Sequence, residues 1–266
     1  MGIYASQTIP RPDDLRDHTD PNVLYALSYL VSRAVIGILG IVLPFVFIVG
    51  EAAFLRGGVH VRGSLSAYYH TSMRDLFVAG LCVTGFFLAT YLSGEPKTWD
   101  FRLSLLAGLA VLGVVFFPTT RPQLLPDAPR CGTTPMPAGC SAIQQQFGEK
   151  LVAGVHFSFA AIFILSLAGI CFVFARREKG GMRASVRLCG VAIILAVLWA
   201  AVGGLLEKGT VWELTPLYVG EVVSVWAFGL AWLLKARDLR KSLGAPRPPP
   251  PASGQRPAPL PTASTD

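Results

Sequence analysis

The sequence predicts an all-α fold, a polytopic transmembrane helix bundle of about six spans, and three observations predict it. The 266 residues are 52% hydrophobic, with a mean hydropathy of +0.52. Only 15% are charged, against about 25% in a soluble globular domain, so much of the chain needs no water-facing charge. Apolar runs of about 17–25 residues, long enough to cross a bilayer as helix, recur about six times between polar punctuation. Three regions follow: a disordered N-terminal segment 1–20, a six-span domain 21–241, and a disordered Pro-rich cytoplasmic tail 242–266.

The first thirty residues contain Asp13, Asp14, Asp17 and Asp20 and no short apolar core with an early cleavage site, so the first apolar run reads as an uncleaved anchor. Asp20-Pro21 reads as an N-cap followed by proline at the first helical position. Residues 22–32 form either an interfacial helix or the lower end of span one. That span runs from Ala34 to Gly50, with Arg33 snorkelling below it and a kink expected at Pro44. Glu51 closes it. Ser72-x-x-Asp75 reads as a capping box that opens span two, Met73 to Leu92.

Span three, Leu103 to Phe117, stops at Pro118. Ser141-x-x-Gln144 is a second capping box, opening a helix that leads into span four, Leu151 to Phe174. Span five covers Leu188 to Leu206, and span six covers Leu214 to Leu234 with Pro216 in its first turn. No internal repeat relates the two halves.

The net charge of +7 fits positive cytoplasmic loops better than nucleic-acid binding, because the basic residues have no soluble fold to sit on. Arg176, Arg177, Lys179, Arg183 and Arg187 crowd the connection between spans four and five, and the C-terminal flank is also basic. Both belong to the cytoplasm, which makes this a multi-pass cell-membrane protein with both termini inside. Cys131 and Cys140 then fall outside, where a disulfide is permitted. Cys82, Cys171 and Cys189 lie in spans as small apolar fillers.

This topology gathers Glu51, Ser66, His70, Asp75, His156, Glu207 and Glu221 at the outer side. His156 and Glu221 lie deepest, and an ionisable group inside a span suggests function. Thr215, Tyr218, Glu221 and Ser224 recur every third residue, along one side of a helix that should face the interior. His156 or Arg74 would partner Glu221 there. Ser66-x-x-x-His70 puts a hydroxyl and an imidazole on one face if the segment is α-helical. Ser66, Asp75 and Glu221 are the candidate catalytic groups, and His70 and His156 the candidate metal ligands. Ordinary readings stand beside these: a turn serine, interfacial tyrosines at Tyr68 and Tyr69, a headgroup histidine, a capping aspartate, and a buried ion pair that fixes packing.

Ser66-x-x-x-His70 with Asp75 resembles the alkaline-ceramidase-like superfamily of membrane hydrolases. The resemblance implies seven spans, a zinc ion held by that histidine and by a His-x-x-x-His pair on the last helix, and hydrolysis of lipid amides. Here Ala160 stands four residues after His156, and Glu221 would have to replace an imidazole. The overall layout resembles uncharacterised bacterial six-helix membrane proteins, through Ser64-x-Ser66-x-Tyr68-Tyr69-His70, Phe116-Phe117-Pro118-Thr119 and Phe228-Gly229-Leu230-Ala231-Trp232.

Three functions are open on the sequence. One is a non-enzymatic membrane protein, a sensor, assembly factor or structural partner. The second is a zinc-dependent hydrolase of lipid-like amides or esters. The third is a small-solute or proton-coupled transporter. Membrane lipid is the expected partner, and nucleic acid is not.

Overall fold

The computed structural model describes residues 21–55, 61–91, 97–121, 128–206 and 214–244. Its helices are α1 (Pro21–Leu55), α2 (Arg74–Thr90), α3 (Trp99–Phe116), α4 (Ala142–Phe147), α5 (Glu149–Arg177), α6 (Gly180–Leu206) and α7 (Pro216–Gly244), with a 3-10 helix at Leu65–His70. No strand occurs among the described residues. The all-α transmembrane bundle expected from the sequence is what forms. Five helices, α1, α3, α5, α6 and α7, are long and apolar enough to cross a membrane. α2 has 17 residues, about 26 Å at 1.5 Å per residue, close to a hydrocarbon core of about 30 Å.

These six helices close a ring. α1 packs on α2, α2 on α3, α3 on α5, α5 on α6, α6 on α7, and α7 returns to α1. The joint between α1 and α2 is the sparsest. Apolar side chains face outward all round it. On α6, Leu195, Leu198, Trp199 and Val202 are exposed at helical spacing, a lipid-facing stripe.

The α7–α1 joint is tight because glycines line it. A Cβ on Gly229 would sit 2.7 Å from the Gly37 carbonyl oxygen, and one on Gly37 would sit 2.9 Å from the Gly229 oxygen. Small residues let backbones approach in a membrane, where packing replaces the hydrophobic drive.

Consecutive spans alternate in direction, so the ring has two distinct ends. The base gathers the starts of α1 and α3, the ends of α2 and α7, and the α5–α6 turn. Trp232 anchors it, with ring centroids 4.7 Å from Tyr91 and 5.5 Å from Phe174. Arg33 donates to the Tyr91 hydroxyl at 2.9 Å. Arg177 meets the fully buried Asp100 carboxylate at 2.5 Å, and Lys235 pairs with Glu178. The cap gathers the end of α1, the 3-10 helix, the start of α2, the end of α3, α4, and the starts of α5 and α7. Phe47, Tyr68, Met73 and Phe77 pack beneath it.

Several local expectations change. Residues 22–32 form the lower end of α1, the second of the two readings, and α1 continues through Pro44. Asp20 lies outside the described residues. α6 begins at Gly180 rather than near Leu188, so Arg183 and Arg187 sit on its first turns instead of in a loop. α7 continues three residues past the expected domain end at 241, to Gly244.

The Ser141 capping box forms, with Gln144 N–H donating to Ser141 Oγ at 3.2 Å. It opens only the short α4. Gly148, at φ 80°, ends α4 by donating to the Gln144 carbonyl, and α5 restarts at Glu149. The Ser72 box does not form. Met73 is the N-cap of α2 and has no side-chain cap bond, while its N–H donates to Thr71 Oγ1 at 3.1 Å.

Candidate functional site

Inside the ring, from its middle toward the cap, lies a cavity of about 100 Å³. α1 supplies Gly40, Leu43 and Phe47, and α2 supplies Phe77, Leu81 and Thr84. Val111 and Val114 come from α3, Ala160 and Ile164 from α5, and Val225 and Phe228 from α7. This wall is almost wholly apolar. Its polar side chains among the described residues are Thr84, Ser66 and Glu221. Thr84 spends its proton on the Gly80 carbonyl at 2.8 Å, as a helical threonine commonly does. Pro44, also in the wall, has no N–H and leaves the Gly40 carbonyl without its helical donor.

Glu221 stands at the cap end of this space. Its Oε2 accepts the Leu65 N–H at 2.6 Å. That N–H begins the 3-10 helix, where backbone donors have no partner within the helix. Ser64 is the N-cap, its Oγ accepting from Ala67 N–H at 3.1 Å. Thr215 completes the clamp, donating to the Gly63 carbonyl at 2.5 Å and accepting from Tyr218 N–H at 3.0 Å. The first turns of α7 therefore hold residues 63–65 in place. The side of α7 that carries Thr215, Tyr218, Glu221 and Ser224 does face inward, with Tyr218 and Ser224 buried. Neither expected partner reaches Glu221. Arg74 lies over the Tyr69 ring at 4.3 Å, and His156 is bonded elsewhere.

Ser66 is buried in the cavity wall, and its hydroxyl makes no hydrogen bond to a described residue. It does not share a face with His70. A 3-10 helix has about three residues per turn, so positions four apart point about 120° away from each other. Ser66 turns inward, while His70 turns to the cap and donates from Nε2 to the Thr119 carbonyl at 2.7 Å. A carbonyl only accepts, so neutral His70 carries its proton on Nε2 and leaves Nδ1 bare, buried and without a hydrogen bond. Burial lowers the His70 pKa below 6.5, with the Thr119 and Gly139 backbones opposing.

His156 is fully buried on α5. Its Nδ1 donates to the Phe117 carbonyl at 2.7 Å and the Val114 carbonyl at 3.2 Å. These are among the last carbonyls of α3, which have no partner within that helix. His156 thus closes the end of α3. Asp75 is exposed in the first turn of α2, where a negative charge suits the helix dipole. Glu51 is buried and takes Arg62 Nε at 2.9 Å. Glu207 lies outside the described residues.

These placements divide the candidate catalytic and metal residues. The structure joins Glu221 and Ser66 at one cavity. Asp75, His70 and His156 are not part of it. Among the described residues no three His, Cys, Asp or Glu side chains lie together in a way that fits a metal ion. His70 Nε2 and His156 Nδ1 are spent on carbonyls. With no third ligand group beside them among the described residues, they do not form a zinc site.

The sequence reading missed the strongest polar cluster of the cap. Arg121 donates from Nε to Glu149 Oε1 at 2.9 Å and from Nη2 to Oε2 at 3.1 Å. The same guanidinium bonds the carbonyls of Ala138 at 3.0 Å and Pro129 at 2.8 Å. Glu149 also accepts the Cys131 N–H at 3.3 Å. The ion pair holds the Arg121 pKa above its ordinary value. The expected Cys131–Cys140 disulfide is present within this cluster, and Cys82, Cys171 and Cys189 are free. One arginine therefore ties the end of α3, the disulfide loop and the start of α5 together.

No protein-family model, curated protein or solved structure matches this chain.

Proposed function

We propose that this multi-pass membrane protein is a binding protein for a small, largely apolar molecule drawn from the membrane, held inside the helix ring with its polar end at Glu221. The cavity carries the reading. Binding sites are concave, apolar and equipped with a few placed polar groups, and this one has Glu221 and Ser66 among its lining residues. Such a protein acts by changing conformation or partners when the ligand is present, which is the behaviour of a sensor. A cavity lined by Leu, Ile and Phe stays dry and takes an apolar guest.

The cap faces away from the cytoplasm in this reading. Two features support it: the Cys131–Cys140 bridge on the cap and the run of arginines at the base. Both termini are then cytoplasmic, and the membrane is the cell membrane.

Native mass spectrometry of protein extracted gently from its membrane tests the binding function. Wild type retains a small apolar molecule. Ala160→Phe, which fills the cavity from α5, releases it. Equal retention by both forms refutes the cavity as the site. Orientation is tested separately in intact cells. An impermeant thiol reagent labels Cys131 and Cys140 only after reduction, and a need for permeabilisation reverses the assignment.

A further inference from the structure

We propose that the cavity's ligand carries a primary ammonium head, which pairs with the Glu221 carboxylate, on a short saturated tail. The proposal rests on the cavity reading above and adds the chemistry of the head.

The argument begins with what Glu221 lacks. An ionised carboxylate offers about four acceptor sites. Among the described residues one donor fills one of them, the Leu65 N–H at 2.6 Å. No Lys, Arg or His side chain in those residues bonds or pairs with it, although each buried carboxylate among the described residues has a cation. Glu51 has Arg62, Asp100 has Arg177 and Glu149 has Arg121. A carboxylate inside a span costs several kcal/mol unless a cation or proton compensates it. Glu221 has none among the described residues, and it lines the cavity.

The vacant acceptors sort ligands by head. An ammonium brings three donors and the missing charge. Glu221 takes the charge, and Ser66, which also lines the cavity and whose hydroxyl bonds no described residue, accepts a second N–H. An alcohol brings one donor and leaves the charge uncompensated. A carboxylate adds a second negative charge and is repelled. The tail meets Phe77, Leu81, Ile164 and Phe228, an apolar wall that accepts saturated carbon.

The test compares octylamine, octanol and octanoate on the full chain in amphipol. The first readout is dicyclohexylcarbodiimide, an apolar reagent that converts a carboxyl inside an apolar site to an N-acylurea, located by peptide mass spectrometry. Octylamine protects Glu221 at a concentration at least tenfold below that needed of octanol, and octanoate does not protect. The second readout is thermal shift on Glu221→Gln, which keeps the shape and loses the charge. There the amine loses its tenfold advantage while octanol still binds.

Equal protection by the three compounds, or an amine preference that survives Glu221→Gln, overturns the ammonium head and leaves the cavity standing. No protection by any of them, or no adduct at Glu221, overturns both readings. If Glu221→Gln does not fold, the protection ratio on wild type decides alone.

Discussion

Replacing Arg121 with methionine removes a planar guanidinium and keeps most of the apolar stem. The side chain is 10% exposed and its partner Glu149 is 5% exposed, so this pair is largely, not wholly, buried. Breaking a buried pair by deleting one partner costs about 3–5 kcal/mol, because the other charge is left in a poor solvent. Two backbone donors remain on Glu149, from Arg121 N–H and Cys131 N–H, each at 3.3 Å. They place the expected loss near the lower end, about 3 kcal/mol.

Glu149→Gln removes the charge at the other side and leaves Arg121 its two loop carbonyls, so the loss is smaller, about 1–2 kcal/mol. The double variant strands no charge and should cost less than the two single losses combined. Equilibrium unfolding in mixed micelles, run as a double-mutant cycle, reads all three. An Arg121→Met loss under about 1 kcal/mol, or strict additivity, would refute the account of the cap as one cluster built on this pair.

Three further outcomes are expected. The folded pKa of His70 lies below its unfolded value of 6.5, so the unfolded chain binds the proton more tightly. Stability is therefore full above about pH 6.5, falls as pH drops from there to the folded pKa, and levels off below it. His70→Asn flattens that slope in thermal melts between about pH 4 and 7, and an unchanged slope excludes His70 as its source. Gly148→Ala forces a side chain into a left-handed φ of 80° and lowers stability by about 1–2 kcal/mol, although the site has room for the methyl group. Cys131→Ser with Cys140→Ser opens a short loop and costs about 2–3 kcal/mol by chain entropy, seen as a lower midpoint that reducing agent does not lower further.

The spans were legible because membrane helices announce themselves by length and hydropathy, and both are local properties. The Ser141 box and the Cys131–Cys140 bridge were legible for the same reason, each being a short-range pattern. The site was legible only in part. Glu221 stood out because a carboxylate inside a span has no ordinary reason to be there. Its partner did not, since Leu65 lies 156 positions away and offers a backbone N–H, which no residue type advertises.

α-Helical spacing pairs Ser66 with His70, but the segment is a 3-10 helix, where that spacing separates them. Ser72 lost its capping role because Thr71 was one residue better placed to meet the Met73 N–H. Arg121 and Glu149 are 28 residues apart across an irregular segment, and no periodicity connects them. His156 was read as a ligand because histidine inside a span is rare, yet the end of α3 supplies carbonyls enough to explain it.

The way Arg121 grips the cap also divides it into parts that tolerate handling and parts that do not. Its bonds fall on Pro129, Ala138 and Glu149, and Gln145 adds a grip on Gly132 and Thr133. Between these fixed points, Pro135 and Met136 are exposed, and neither takes part in a described hydrogen bond. A foreign peptide spliced between Pro135 and Met136 should leave both the bridge and the ion pair intact. The same peptide placed between Thr119 and Arg121 should not, because Thr119 receives His70 and Gln144 there. The cap thus contains its own attachment point, at which an epitope, a protease site or a fluorophore can be carried without disturbing the helices beneath.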